Sequence, residues 1–326
     1  MARTVKTMPN SAVISQRARP EILAMGGYVS ARSIEKSNRG TIFLDANECA
    51  FEPFIGAQNL SRYPEQQPTA LQEAICQWLD VSKRHITITR GADEAIDCLV
   101  RAFCVPGQDN IVICPPTFAM YAQSAMLQNA EVRQAKLDRK FDLDVNLINQ
   151  ITDKNTKIIF VCSPNNPTAN LMDRARILQL CNDFAETALV VVDETYVEFA
   201  ASETLTPCLD AHANLVILRT LSKSHAAAGL RCGVAVARSD VTALLQKVLA
   251  PYPLAQPVVD AALTILSAKS QSVLAAKRRD IVTRRDQVAA KLAACAEIVE
   301  VFPSDANYLL VRVKDAADLC EKCRAS

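Results

Sequence analysis

KIIFVCSPNNPTANLMDRARILQLCNDFAETALVVVDETY, residues 157 to 196, decides the reading of the fold. Two apolar, β-branched runs, KIIFVC (157 to 162) and ALVVVD (188 to 193), bracket a stretch with helical periodicity, and each ends in a polar cluster. Apolar runs without polar alternation suit strands buried on both faces, and a helix between two of them suits parallel neighbours. The alternation extends outward in both directions. ITIT (86 to 89), NIVIC (110 to 114), NLVILRT (214 to 220) and CGVAVA (232 to 237) are further strands, and VRQAKL (132 to 137) is a seventh. The pattern predicts the α/β class: a mostly parallel, seven-stranded sheet covered by helices on both faces.

Beyond residue 254 the texture becomes alanine-rich and charged, which predicts long helices and then a strand in NYLLVRV (307 to 313). The expected organisation is an N-terminal segment (1–55) packed on a smaller domain, a large domain (56–250), and that smaller C-terminal domain (251–326). The run Lys277-Arg278-Arg279-Asp280, with Arg284-Arg285-Asp286 after it, reads as a solvated helix face of mixed charge.

Composition excludes several classes of function. The chain has 326 residues with 36 Lys+Arg against 35 Asp+Glu, so no cationic excess exists to neutralise a nucleic-acid backbone. No run approaches the roughly 18 apolar residues of a membrane helix, and the N-terminus lacks the apolar core of a secretory signal. A cytoplasmic protein with neither a membrane nor a nucleic-acid partner is expected. The twelve cysteines fall inside apolar stretches, as reduced core thiols would. Cys320 and Cys323 form a CxxC without a second pair, and His85, His212 and His225 are scattered, so no metal site is expected.

In an open α/β sheet, ligands bind outside the carboxyl ends of the strands, so the residues following each strand carry the functional information. After ITIT comes Arg90-Gly91-Ala92-Asp93-Glu94, and after NIVIC comes PPTFAMY, ending in Tyr121. After KIIFVC comes SPNNPT; after ALVVV, Asp193-Glu194-Thr195-Tyr196; after NLVILRT, Leu221-Ser222-Lys223, with Arg231 eight residues on. One rim therefore gathers a lysine, an aspartate, an asparagine, two tyrosines, an arginine and a helix start. That inventory meets the needs of pyridoxal 5'-phosphate: a Schiff-base lysine, an acid for the pyridine nitrogen and a phosphate cradle.

The segments GADE, SPNNPT, VVVDETY and TLSK…GLRCG, with GGYVSAR (26 to 32), LDANE (44 to 48) and RYPEQQP (62 to 68), resemble the histidinol-phosphate aminotransferase family of fold type I pyridoxal-phosphate enzymes. The resemblance runs from about residue 26 to residue 313. It implies Lys223 as the Schiff-base lysine and Asp193 as partner of the ring nitrogen. Asn166 and Tyr196 would bond the phenolic oxygen, and Tyr121 would stack on the ring. Ser222, Arg231 and the amides of Ala92 and Asp93 would hold the phosphate. It further implies a homodimer with shared sites, which the N-terminal segment helps to join, in which Tyr63 reaches the neighbouring subunit's phosphate, and Tyr28 as a substrate contact. The implied reaction is transamination between histidinol phosphate and 2-oxoglutarate, or imidazole-acetol phosphate and glutamate in reverse. A threonine-phosphate decarboxylase, an aromatic-amino-acid aminotransferase and a non-catalytic cofactor-binding protein are the alternatives.

Three departures from the family pattern stand out. Ala169 replaces the glycine of PTG, where a positive φ would strain an alanine by about 1 kcal/mol. Ser224 and His225 replace an alanine and a large aromatic after the lysine. The smaller domain is expected to be incomplete, because the sequence given stops at Ser326, before the arginines that bind the substrate's anionic group in the family.

Overall fold

The computed structural model describes residues 14–27, 48–49, 51–54, 60–201 and 204–325, and all seven expected strands join one sheet. They are β1 (Ile86–Thr89), β2 (Asn110–Ile113), β3 (Glu131–Gln134), β4 (Thr156–Cys162), β5 (Leu189–Asp193), β6 (Leu215–Thr220) and β7 (Gly233–Val236), in spatial order β1-β7-β6-β5-β4-β2-β3. Neighbours from β6 to β3 run parallel, and β7 is antiparallel to both β1 and β6. A second sheet pairs β8 (Ile298–Val301) with β9 (Val311–Val313) antiparallel. Helices α1 (Pro20–Ala24), α2 (Thr69–Leu79), α3 (Gly91–Phe103), α4 (Met120–Leu127), α5 (Val145–Ile151) and α6 (Arg174–Asp183) precede α7 (Ser239–Val248), α8 (Gln256–Leu266), α9 (Ala268–Ala293) and α10 (Ala316–Ala325).

The unbroken apolar runs are explained by two cores, one on each face of the sheet. Ile159, Val161, Val190 and Val192 point to a core shared with Leu71 and Ile75 of α2 and Ile177 and Leu180 of α6. Their chain neighbours Ile158, Phe160, Leu189 and Val191 point to the opposite core, with Ile96, Leu99 and Phe103 of α3 and Val241 and Leu245 of α7. Successive strand residues alternate faces, and here both faces are dry.

Four expectations change. Residues 14–27 of the N-terminal segment, which was expected on the smaller domain, bury Ile14 and Ala18 against the α3 and α7 side of the large sheet, where Arg19 N donates to Ala102 O at 2.9 Å. Apolar side chains drive that docking. Helix α8, beyond the expected boundary at residue 250, packs Val259 and Ala262 into the large core. Of NYLLVRV only Val311–Val313 is strand, because Tyr308 turns back to donate its hydroxyl to Asn165 O at 2.6 Å. The charged run on α9 is not wholly solvated: Arg278 Nη1 donates to Ser224 O at 3.2 Å, and the Arg285 side chain is only 11% exposed, bonded to Ala306 O. Six of the twelve free cysteines are buried; Cys49, Cys295, Cys320 and Cys323 are exposed. Among the described residues no cluster of metal-ligating side chains occurs, and no single helix is long and apolar enough to cross a membrane.

Candidate active site

The parallel strands release their polar ends into one cleft. Its wall includes Ala92, Asp93, Asn166, Asp193, Tyr196, Ser222, Lys223 and Arg231. Eight of the ten residues expected at the cofactor are therefore together. Register makes this possible: Cys162 sits beside Asp193 across β4 and β5, and Asp193 beside Leu218 on β6, so β4 and β5 end level and β6 runs two residues further along the same edge.

At one end α3 begins. Gly91 (φ 79°) turns the chain from β1 into the helix, and free amides of its first turn face the cleft, a ready anion site. Arg231, held at φ 53°, reaches across so that Nη2 donates to Asp93 Oδ2 at 2.9 Å and Nη1 to Ala228 O at 3.1 Å. Glycine is required twice here. A Cβ on Gly91 would lie 2.8 Å from Arg231 Nη2, and one on Gly233 would lie 2.6 Å from the Gly91 carbonyl carbon. Gly91 and Gly233 thus let β7 and Arg231 close on the helix start.

In the middle lies Asp193, only 3% exposed. Its Oδ2 accepts from the Tyr121 hydroxyl at 2.8 Å, and its Oδ1 from Thr195 N at 3.0 Å and Thr195 Oγ1 at 2.5 Å. Burial raises its pKa, and the bonds from Thr195 and Tyr121 pull it partly back. Those three bonds come from neutral donors, so a buried carboxylate waits for a cation. Opposite, Lys223 extends from the turn after β6, with Nζ 5.9 Å from the centre of the Tyr196 ring. Burial lifts the Tyr196 phenol to about 12, keeping it protonated as a donor.

The class I and II aminotransferase model matches residues 44–326 of the sequence. A histidinol-phosphate aminotransferase of Pectobacterium carotovorum subsp. carotovorum is 44% identical over 301 residues, which cover 92% of this chain and 84% of that protein. The chain belongs to the histidinol-phosphate aminotransferase family. It is a pyridoxal-phosphate-dependent transaminase, and its cofactor is pyridoxal 5'-phosphate.

Among solved structures, the histidinol-phosphate aminotransferase of Sinorhizobium meliloti in complex with pyridoxal-5'-phosphate superposes with a TM-score of 0.73 at 21% identity, covering 81% of this chain and 71% of that one. L-threonine-O-3-phosphate decarboxylase of Porphyromonas gingivalis gives 0.66 at 24%, covering 79% and 75%. One fold serves both, so activity must be argued from the site.

The aminotransferase's cleft fits the cofactor on two observations of its own. A buried carboxylate held by neutral donors matches a protonated pyridine nitrogen, and a helix start with an arginine matches a phosphate. Tyr121 is a correction. Expected on the ring, it is 0% exposed, stacks on Phe160 at 4.7 Å and spends its hydroxyl on Asp193. Phe118, three residues earlier and ahead of α4, lines the cleft instead. Thr195 and Cys162 also line it and were not singled out in the sequence; Thr195 was legible only as part of the DETY cluster. Burial raises the Cys162 thiol pKa, so it stays neutral. Asn165, beside Asn166, is buried and donates to Pro116 O at 2.8 Å while accepting from Thr117 at 3.0 Å, tying the loop of Phe118 to the loop of Asn166. Tyr63 lies away from this cleft, 52% exposed and stacked on Tyr252 at 4.8 Å. Tyr28 falls outside the described residues.

Proposed function

We propose that the enzyme moves an amino group between histidinol phosphate and 2-oxoglutarate, running from glutamate to imidazole-acetol phosphate in the biosynthetic direction. The observation that carries the reading is a flexible amine, Lys223, facing a buried cation-seeking carboxylate, Asp193, across one cleft whose end is built for phosphate. A relative named histidinol-phosphate aminotransferase, 44% identical, supports the substrate.

When bound, the cofactor supplies an aldehyde that captures the amine and an electron-poor ring that stabilises charge at the substrate's α-carbon. Asp193 holds the proton on the ring nitrogen. Lys223 Nζ, free in the cleft, would take the proton from the substrate Cα and give it back, general base and acid in one group. Tyr196 and Asn166 would donate to the cofactor's phenolic oxygen, and Phe118, which lines the same cleft, would pack on its ring. Ser222, Arg231 and the amides of Ala92 and Asp93 bind the phosphate by charge-assisted bonds. In our reading Tyr63, exposed on its own subunit, serves the cleft of a second subunit in a homodimer with shared sites, and Tyr28 contacts substrate. Twelve free thiols agree with a reducing cytoplasm.

The test is glutamate release from 2-oxoglutarate with histidinol phosphate as donor, after reconstitution with pyridoxal phosphate. Turnover with that donor well above aromatic amino acids supports the reading. Carbon dioxide released from threonine phosphate, without glutamate, would overturn it in favour of the decarboxylase.

A further inference from the structure

The side of the Lys223 turn that faces away from the cleft is packed by side chains from three other elements. Lys223 itself is exposed to the cleft, whereas Ser224 and His225 are 3% and 2% exposed. The turn is closed by Ala226 N to Lys223 O at 3.3 Å and Ala227 N to Leu221 O at 3.1 Å. Ser224 is gripped at both polar ends: its hydroxyl lies 2.9 Å from His225 Nδ1, and its carbonyl accepts from Arg278 of α9 at 3.2 Å. The His225 ring stands edge-on to Trp78 of α2 at 4.7 Å, and Trp78 also carries Arg219 of β6 over its face at 5.0 Å. Arg219 is in turn paired with Glu194 and Glu198, and Gln271 of α9 lies close to the imidazole. His225 Nε2 is buried without a hydrogen bond.

We propose that Arg278 and His225 are positioning residues for Lys223: together they clamp Ser224 and so tie α9 to the lysine turn. The role given to Lys223 rests on the proposed function; the clamp is a statement about the turn alone. A lysine that must meet two carbon atoms in succession loses rate when its backbone wanders, and misplacement of the order of 1 Å costs up to about a hundredfold.

The experiment compares wild type with Arg278→Met, Arg278→Lys, His225→Phe and His225→Asn, first without cofactor. Hydrogen exchange is read at the Ala226 and Ala227 amides, and emission is read from Trp78, the single tryptophan of the chain. Arg278→Met and His225→Phe should speed exchange at those two amides by about tenfold or more, with α9 unchanged. Lysine at 278 and asparagine at 225 each keep a polar group at the grip and should restore most of the protection, while Trp78 emission shifts in both 225 variants. With cofactor and substrate, the two disruptive variants should lower kcat by about tenfold to a hundredfold and leave KM within about twofold. Faster exchange along α9 with a protected turn would overturn the proposal by making Arg278 a docking contact only, as would wild-type protection in both disruptive variants. If no variant, wild type included, transaminates while the turn still loosens as described, the clamp stands and the functional reading fails.

Discussion

Residues 156–220 and residues 268–325 of this chain are held in place in opposite ways. Every residue of β5 and β6 is buried, whereas α9 buries none of its 26 residues and β8 and β9 are at most half-buried. Asp193 stands at the end of a buried strand, so it cannot shift without opening a packed core, whereas Lys223 stands on the turn three residues past β6 and is exposed. The C-terminal residues reach the site through a small set of contacts: Tyr308 bonds Asn165 and stands edge-on to Tyr196, Asp305 bonds Ala169 and Leu171, Ala306 packs against Tyr196, and Arg278 bonds Ser224. Those contacts come from elements that bury little of their own surface, so they hold the outer side less firmly than the sheet holds Asp193. A fixed cofactor side and an adjustable outer side follow from burial alone.

The largest expected effect tests the fixed side. Asp193→Asn keeps the shape and the bond from Tyr121 but loses the charge that holds a ring proton, so kcat should fall by about a hundredfold or more while the cofactor still binds. On the outer side, Glu300→Gln in β8, whose carboxylate pairs with Arg312 on an exposed edge, should leave turnover within about twofold. Steady-state assays of both variants check the contrast; equal losses would break it.

Stability should divide the same way. Leu99, 0% exposed on α3, should cost about 2–5 kcal/mol when cut to alanine, and Ile281, 39% exposed on α9, about 0.5 kcal/mol. Denaturant unfolding of the two variants gives the comparison directly. A similar cost at both sites would mean that α9 is covered in solution by something that shields its apolar stripe.

The buried strands were also the legible part of the sequence. Unbroken runs such as VVV at 190–192 have one good solution, a strand covered on both faces, and the polar cluster after each run could only fall at the sheet's edge. Side-chain direction within a turn was not legible. Phe118 and Tyr121 are both aromatic and three residues apart, and only the start of α4 at Met120 turns one into the cleft and the other into the core. Arg278 was hidden for a related reason: in a helix of mixed charge, no spacing rule marks the one guanidinium that meets a carbonyl from another element.

Between the two regions sits His225, and acid should find it. Burial, aided by the Arg278 and Arg219 charges and opposed by Glu198, lowers its pKa from 6.5 to about 4. The unfolded chain therefore binds the proton first. Stability from this group is intact above about pH 6.5 and is lost as pH falls toward 4, by roughly 3 kcal/mol in total. His225→Phe cannot take up that proton, so its unfolding free energy should decline less steeply than wild type between pH 6.5 and 4.5. Parallel declines would mean that the imidazole is hydrated in the folded protein.

The smallest effects come from two alanines forced into left-handed backbone, one in each environment. Ala169, in place of the family's glycine, has φ 67° and is 0% exposed against Tyr196, Phe199 and Ala306; Ala226, in the lysine turn, has φ 54° and is exposed. Left-handed φ costs an alanine about 1 kcal/mol relative to glycine, and a buried methyl contributes about 0.8 kcal/mol. At Ala226 nothing offsets the strain, so Ala226→Gly should stabilise by up to about 1 kcal/mol. At Ala169 the methyl packed on Tyr196 nearly cancels the strain, so Ala169→Gly should change stability by less than about 0.5 kcal/mol. That balance accounts physically for an alanine standing where the turn geometry favours glycine. Equal gains at both positions, read by denaturant unfolding, would show that the Ala169 methyl contributes nothing to the packing behind Tyr196.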